Sequence, residues 1–299
     1  MEIKIAVPAT SANLGPGFDT LGVALKLYNY LEIDPDTDTL AFEISGEGSA
    51  VLPRGTTNLV YQAVAAVYQE VGQLPPPLKI KQTNYIPPSS GLGSSAAAVV
   101  GGLTAANLLL NNPLSTDQLL QLAAKIEGHP DNAAPALIGG LVISGTDADQ
   151  IIWQQLQPKN PPQVIVVVPD FSLRTAHSRG VLPQKVAFQD AVANLSRLAF
   201  LLHCFASGDY TNLRFACEDS LHQNYRAQLI PGFHAVIAAC YQAGGLGAAL
   251  SGAGPSVIAF AEPSKAETVG AAMQAAFAQE QIASRVFITE IAEQGAGLV

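Results

Sequence analysis

The chain has 299 residues, of which 48% are hydrophobic and 13% are charged, and its formal net charge is -9 at pH 7. This length and composition predict a compact protein with a large core and two domains, and they exclude a disordered chain. The acidic balance, without a run of lysine or arginine, argues against a nucleic-acid partner. No stretch reaches the ~20 uncharged apolar residues of a membrane span, so no membrane partner is expected.

The spacing of the cysteines and the pattern of the first residues indicate the cellular compartment of the protein. Cys204, Cys217 and Cys240 are too far apart for a redox pair or a zinc knuckle, and we expect reduced thiols in the core. Residues 1–7 alternate polar and apolar side chains as a strand does, rather than forming a charged and then apolar leader. These features predict a cytoplasmic protein.

Hydrophobic periodicity predicts a mixture of strands and helices in the first half of the chain. Strands are predicted at residues 3–7, 31–33, 40–44 and 79–85. Helices are predicted at residues 58–71, 95–110 and 116–126. The helix at 95–110 is apolar nearly all round, which predicts that it is buried.

A proline-rich segment, residues 158–162, predicts a linker between a first domain, 1–158, and a second domain, 163–299. The branched run Val164–Val168 after it predicts a strand buried on both faces. The pattern beyond predicts helices and a strand, in the order 188–207, 210–225, 233–242 and then the strand 256–261.

Residues 88–98, Pro-Ser-Ser-Gly-Leu-Gly-Ser-Ser-Ala-Ala-Ala, place a glycine-rich turn directly before a helix. Gly91 and Gly93 allow a ligand to approach the main chain, and Ser94 and Ser95 stand at the helix start. Free N–H groups and the helix dipole there favour an anion such as phosphate. An ordinary turn with a good N-cap is equally consistent with this segment alone. The lysine of the common phosphate loop is absent, and the dinucleotide fingerprint is incomplete.

Two further segments suggest ligand contacts. Residues 244–255 hold five glycines within eleven positions, which indicates close packing, a ligand or a pair of hairpin turns. Residues 8–19 place Asn13 and Asp19 in a polar, glycine-containing loop after the first strand, where they serve either as ligand contacts or as turn formers.

Together, Pro8 to Leu25, Pro88 to Ala98 and Gly244 to Pro255 resemble the three motifs of the superfamily named for galactokinase, homoserine kinase, mevalonate kinase and phosphomevalonate kinase. Residues 10–19 and 127–140 are similar to the homoserine kinases in particular. The resemblance implies an α+β fold with an N-terminal domain like ribosomal protein S5 domain 2, a C-terminal ferredoxin-like domain and an active site in the cleft between them. It also implies transfer of the γ-phosphoryl group of ATP to the side-chain hydroxyl of L-homoserine, and a homodimer.

The same resemblance implies roles for individual residues. The triphosphate would lie on Pro88, Ser89, Ser90, Gly91, Leu92, Gly93, Ser94, Ser95, Ala96, Ala97 and Ala98. Mg²⁺ would be held by Glu127 and Ser95, which count with Asn132 as the catalytic residues. L-homoserine would be bound by Asn13, Asp19, His129, Arg179 and Arg226, with two guanidinium groups for its carboxylate. Asn58 would contact adenine, or cap the helix that follows it.

The resemblance implies no dedicated general base, and Asp131 is not assigned that role, because positioning dominates phosphoryl transfer. Gln223 and Asn224 stand where the family more often has Glu-Pro, and we expect a tolerated surface change there. Three alternatives remain open: another kinase of the superfamily, a sensor that binds ATP without turnover, and a nicotinamide-dependent dehydrogenase.

Overall fold

A computed structural model describes residues 2–299. Its strands are β1 (Ile3–Asn13), β2 (Gly17–Asp34), β3 (Ala41–Gly46), β4 (Lys79–Asn84), β5 (Leu141–Asp147), β6 (Gln150–Leu156), β7 (Gln163–Pro169), β8 (Gly247–Leu250), β9 (Val257–Ala261), β10 (Ser284–Thr289) and β11 (Gly297–Leu298). Its α-helices are α1 (Leu59–Glu70), α2 (Ser94–Leu109), α3 (Thr116–Glu127), α4 (Ala133–Ile138), α5 (Thr175–Gly180), α6 (Phe188–Ser207), α7 (Leu213–Ala216), α8 (Gln223–Arg226), α9 (Phe233–Gln242) and α10 (Ala266–Gln279). The strands form two separate sheets.

The first sheet has the strand order β11-β1-β2-β4-β3, and β5 and β6 extend it from the other end of β2. Its strands pair antiparallel except β3 and β4, which are parallel. Helix α2 packs against β1 and is flanked by α1, α3 and α4. Ten of the sixteen α2 residues are therefore buried, in agreement with the apolar sequence of this helix.

The second sheet has the order β10-β7-β9-β8 and is antiparallel throughout. Strand β7 is covered on both faces, as its run of branched residues predicts. Val164 and Val166 face a core that continues into the first sheet. Ile165 and Val167 face a second core, closed by α9 and α10.

Two local predictions differ from the structure. The predicted loop at 8–19 is a tight turn between the long strands β1 and β2, so Asn13 and Asp19 lie on strand ends. The predicted helix at 210–225 is broken into α7 and α8. The buried Asp219 carboxylate accepts backbone N–H bonds from residues 221–223, and a side chain that bonds the backbone in this way competes with helical hydrogen bonds.

The two sheets do not separate cleanly at the boundary between the predicted domains 1–158 and 163–299. No strand or helix covers 157–162, which agrees with a linker, but β11 near the C-terminus pairs with β1 of the first sheet. The end of the chain therefore returns to the N-terminal unit. The domain boundary itself stays a prediction.

All three cysteines are buried free thiols, as predicted. Within residues 2–299, none of the helices combines the length and the apolar character needed to cross a bilayer.

Gly22 lies on β2, where α4 and the residues before it pack against the strand. A Cβ at this position would overlap the carbonyl oxygen of Asp131 and lie 2.8 Å from Cγ of Pro135. We expect Gly22→Ala to lower the free energy of unfolding by about 1–3 kcal/mol, the usual cost of overpacking. Urea denaturation monitored by the fluorescence of the single tryptophan, Trp153 on β6, measures this change.

Gly145→Ala is the matched control, because a Cβ at Gly145 on β5 meets no atom within 4 Å. We expect it to change the free energy of unfolding by less than about 0.5 kcal/mol. Equal effects of the two substitutions would contradict the close packing at Gly22.

Candidate functional site

The two sheets meet at a polar cleft of about 400 Å³, here called the central pocket. It is lined by Asn13, Asp19, Leu59, Ser89, Ser90, Gly91, Gly93, Ser94, Ser95, Ile126, Glu127, His129, Asp131, Asn132, Leu173, Thr175, Arg179, Arg226, Gly252, Ala253 and Gly254. The structure thus brings together most of the residues predicted from five separate segments. The side chains of Leu92 and Ala96 are buried and do not line this pocket, so their contact with the nucleotide stays a prediction.

At one end of the central pocket, helix α2 begins without a side-chain cap. Its N-cap residue is Gly93, in the left-handed region with φ 66°, and no side chain bonds its first N–H groups. The start of α3, by contrast, is closed by Ser115 and Gln118 in a capping box. The α2 terminus therefore offers free backbone donors and the positive end of a dipole to a ligand in the pocket.

Two oxygen groups lie beside this helix start. Ser95 Oγ donates to Glu127 Oε1 at 2.6 Å. Burial raises the pKa of Glu127, and the hydrogen bond from Ser95 partly opposes that shift. A cation at the carboxylate would relieve the cost of burying its charge, and hydroxyl and carboxylate oxygens are the ligands that Mg²⁺ prefers.

These two groups do not form a complete metal site by themselves. Among residues 2–299, no cluster of three or more histidine, cysteine, aspartate and glutamate side chains could hold a metal ion. The pair Ser95 and Glu127 fits a magnesium ion that also binds phosphate oxygens and water.

A second cleft of about 340 Å³, here called the side pocket, opens from the same helix start. It shares Leu59, Ser89, Ser94 and Ser95 with the central pocket, and its surface is mainly apolar. Among the residues predicted at the nucleotide, Pro88, Ala97, Ala98 and Asn58 line it. A flat apolar group joined to a polyphosphate would fit across both clefts.

Asn58 is the N-cap of α1, one of the two roles that the sequence leaves open. Its Oδ1 accepts from the backbone N–H of Val60 at 2.9 Å and from Gln82 Nε2 at 3.0 Å. Its Nδ2 donates to the Pro53 carbonyl at 2.8 Å. Contact between Asn58 and a base stays a prediction.

At the other end of the central pocket, charged side chains from β2, α5 and α8 meet. Arg179 donates two hydrogen bonds to the Asp19 carboxylate, at 2.7 and 3.0 Å, and both side chains are about one third exposed. Arg226 is only 1% exposed. Burial lowers the pKa of the Arg226 guanidinium to about 10, so this group stays cationic at neutral pH.

The turn that carries Asn13 and Asp19 has an uncommon backbone. Asn13 has φ 70° and Asp19 has φ 53°, values that non-glycine residues adopt rarely. The Asn13 side chain holds this geometry: its Oδ1 accepts from the Asp19 N–H at 3.0 Å, and its Nδ2 donates to the Gly252 carbonyl at 2.8 Å. Such strained positions persist where the surroundings enforce them, and they concentrate at functional sites.

The segment after α3 supplies an imidazole, a carboxylate and an amide. His129 Nδ1 and Asp131 Oδ1 are 2.6 Å apart, and this hydrogen bond is the main reason that the pKa of His129 is raised. Asn132 Oδ1 accepts from Thr10 Oγ1 at 2.9 Å, which ties the segment to β1. Asp131 therefore lies in the pocket beside Asn132, and Oδ1 of Asp131 is already hydrogen-bonded to His129.

The sequence analysis missed several lining residues. It assigned no role to Gly252, Ala253, Gly254 or Thr175, although the glycine-dense segment 244–255 was a signal for three of them. The expectation of a surface change at Gln223 is wrong, because this side chain is buried. Its Oε1 accepts from the Leu250 N–H at 2.6 Å.

Comparisons with known proteins agree with this geometry. The family model described as "GHMP kinases N terminal domain" matches residues 58–140, and the model "GHMP kinases C terminal" matches residues 201–279. These matches define the class of protein as a two-domain GHMP kinase, an α+β phosphotransferase that uses ATP, and they confirm the predicted fold class.

Full-length relatives narrow the class further. A homoserine kinase of Carboxydothermus hydrogenoformans is 46% identical over 98% of this chain and 96% of its own length. One from Moorella thermoacetica is 48% identical over 93% of each chain. The crystal structure of homoserine kinase from Cytophaga hutchinsonii superposes with a TM-score of 0.90 at 30% identity, covering 100% of this chain and 97% of that one. The chain belongs to the homoserine kinase family.

The His129–Asp131 pair yields a test by titration. Asp131→Asn is expected to lower the pKa of His129 toward its ordinary value of 6.5, because an amide replaces the carboxylate that accepts from the imidazole. ¹H NMR of the imidazole in metal-free protein measures this pKa. Since the folded-state pKa is raised, the pair stabilises the fold fully below pH 6.5, and this contribution is lost as pH rises through the folded-state value.

Asp38→Asn is the control for that titration, because Asp38 is an exposed carboxylate in the loop before β3. It should leave the pKa of His129 in place. An unchanged pKa of His129 in Asp131→Asn would show that the imidazole and the carboxylate do not pair in solution.

Proposed function

We propose that this protein transfers the γ-phosphoryl group of ATP to the side-chain hydroxyl of L-homoserine. The product is O-phospho-L-homoserine, an intermediate of threonine biosynthesis. The membership of the chain in the homoserine kinase family supports this reaction, and so does the arrangement of charge in the central pocket.

One observation carries the proposal: at one end of the central pocket, backbone N–H groups can bind an anion, and at the other end lie one carboxylate and two guanidinium groups. The uncapped start of α2 suits a triphosphate, and Asp19, Arg179 and Arg226 suit an amino acid. A substrate bound between them places its side chain toward the phosphate. Fixing two reactants in this way removes much of the entropic cost of their reaction.

The Asp19–Arg179 ion pair matches the two charges of a free amino acid. L-homoserine carries an ammonium and a carboxylate, which would exchange with the two partners of this pair: the ammonium with Asp19 and the carboxylate with Arg179. Arg226 adds a second cation near the carboxylate. Since guanidinium forks bind carboxylates bidentately, a sugar or an uncharged alcohol satisfies this end of the pocket less well.

ATP would place its phosphates on the loop before α2 and its base in the side pocket. Mg²⁺ bound with ATP would be held by Ser95 and Glu127, and it would supply positive charge to the phosphate oxygens. The protein contributes the backbone donors of residues 93–95 and the carboxylate of Glu127. These residues position and neutralise the phosphates rather than form covalent bonds to them.

The acceptor hydroxyl would be oriented by Asn132, whose amide lies in the pocket beside the start of α2. Its orientation is set by the hydrogen bond from Thr10 to its oxygen. Asp131 is a poor general base here, since its Oδ1 is already engaged by His129. A loose transition state for phosphoryl transfer needs positioning more than it needs a strong base. The cytoplasmic location and the homodimer stay predictions.

An ADP-release assay with Mg²⁺ tests the acceptor. We expect kcat/KM for L-homoserine to exceed that for mevalonate, galactose, L-serine and L-threonine by at least about 100-fold, because only homoserine combines both charges with a hydroxyl at this reach. L-Serine, which has one methylene fewer, is the most demanding control. Faster ADP release with another acceptor would refute the assignment.

Glu127→Gln tests the proposed metal ligand. We expect kcat to fall by about 100-fold or more at saturating substrates, since metal neutralisation of the transferring group is worth several kcal/mol. The apparent affinity for Mg²⁺, from activity against magnesium concentration, should fall as well. Glu267→Gln, an exposed carboxylate on α10, is the matched control and should retain the activity of the unmodified protein. A Glu127→Gln enzyme with unchanged magnesium dependence would rule out this ligand.

A further inference from the structure

Beneath the charged end of the central pocket lies a buried histidine, His222, which is 0% exposed. Its Nε2 lies 2.8 Å from the carbonyl oxygen of Gly15, in the turn between β1 and β2. Its Nδ1 lies 3.3 Å from Nη1 of Arg226. One imidazole therefore bridges the turn that carries Asn13 and Asp19 to the buried arginine of the pocket.

The partners of this imidazole determine its protonation state. A guanidinium group only donates hydrogen bonds, so Nδ1 must accept from Arg226. A carbonyl oxygen only accepts, so Nε2 must carry the proton that it donates to Gly15. His222 is therefore neutral, with its hydrogen on Nε2. A proton on Nδ1 would face a cation and break the link to Arg226.

The backbone that carries His222 is itself held by a buried carboxylate. Asp219 accepts from the backbone N–H groups of residues 221–223 at 2.7 to 3.0 Å, and from Asn194 Nδ2 at 2.9 Å. Asn194 lies on α6, so the start of α8 is anchored to that long helix. This arrangement leaves the imidazole little freedom to move.

The turn and the arginine are joined at a second point. The carbonyl oxygen of Gly252 accepts from Asn13 Nδ2 at 2.8 Å and from Arg226 Nη1 at 3.1 Å. The ring of Phe18 completes the assembly: it stacks on His222 with centroids 5.1 Å apart and lies 5.2 Å from the Arg226 guanidinium. Movement of His222 would therefore displace acceptor-binding groups on both sides of the pocket.

We propose that His222, in its neutral Nε2–H form, is a positioning residue of the acceptor site that sets the distance between Asp19 on β2 and Arg226 on α8. It touches neither ATP nor the acceptor, and it acts through the turn and the guanidinium group. The proposal rests on the function proposed above, because it takes L-homoserine as the acceptor.

Protonation of His222 would disturb this assembly in acid. Burial lowers the pKa of His222 below its ordinary value of 6.5. The charged groups around the ring are Asp219, whose carboxylate is 3.8 Å from Nε2, then Arg226 and the more distant Asp19. Since the folded-state pKa is lowered, the neutral ring stabilises the fold above pH 6.5, and this contribution is lost as pH falls through the folded-state value. The KM for homoserine should rise over the same acid range.

Two substitutions test the two hydrogen bonds of the imidazole separately. A glutamine amide can replace the Nε2 donor but not the Nδ1 acceptor, and an asparagine oxygen can replace the Nδ1 acceptor but not the Nε2 donor. For both His222→Gln and His222→Asn we expect KM for L-homoserine to rise about 10-fold, as for loss of one hydrogen bond to or beside a charged group. KM for ATP should stay within about twofold, because the α2 terminus makes none of these bonds. His203→Gln, an exposed histidine on α6, is the matched control.

¹⁵N-edited NMR of the imidazole at pH 7 tests the tautomer without reference to activity. We expect a protonated Nε2 and an unprotonated Nδ1, and a signal that is absent from His222→Gln. A protonated Nδ1 would overturn the positioning proposal, as would an unchanged KM for homoserine in both variants or an equal rise in both KM values. Absence of any homoserine-dependent ADP release by the unmodified protein would instead overturn the proposed function and, with it, the acceptor named here.

Discussion

Direct contact between the loop 251–254 and the N-terminal sheet is the constraint on which the site depends. Ser251 Oγ donates to the Gly91 carbonyl at 2.7 Å and lies 2.8 Å from Ser11 Oγ, from which it accepts, because its single hydrogen is already used. The Gly252 N–H donates to the Ala12 carbonyl at 3.1 Å. These bonds are buried, so a break in any of them would leave polar groups without partners. Because they hold the β1–β2 turn, the loop before α2 and the loop 251–254 together, the two ends of the central pocket keep a fixed separation.

Several groups that line the central pocket lack a full set of hydrogen-bond or ion-pair partners within the protein. The α2 terminus has no side-chain cap, and the partly buried Glu127 carboxylate accepts a hydrogen bond from the Ser95 hydroxyl. The Asp19–Arg179 pair is complete but partly exposed, which allows a ligand with both charges to replace each partner. A bound substrate and metal ion would therefore provide the partners that these groups lack within the protein. The binding energy gained in this way holds the reactants in one geometry.

Much of the fold could be predicted from the sequence, because local patterns carry the information. The apolar surface of α2, the branched run in β7 and the capping residues of α1 and α3 each specify their own element. The prediction of one helix at 210–225 is wrong for a physical reason. The apolar pattern there is helical, but the Asp219 side chain competes for the backbone N–H groups. The buried position of Gln223 was equally hidden, since its partners lie on β8 and after α7.

By itself, the sequence predicted the glycine loop before a helix from its local pattern. Through the resemblance of its three motifs to a known family, it also implied the class of fold and the residues that suit a nucleotide and an amino acid. Motifs and local propensity are properties of short segments, so the sequence carries them directly. Only the tertiary structure decided that Asp19 pairs with Arg179, that Asp131 pairs with His129 and that His222 joins Gly15 to Arg226. Asp19 and Arg179 are 160 positions apart, and His222 and Gly15 are 207. The packing of the C-terminal half of the chain against the first sheet sets these two long-range contacts, and no local pattern records them. His129 and Asp131 are only two positions apart, but their pairing depends on how the backbone turns between them.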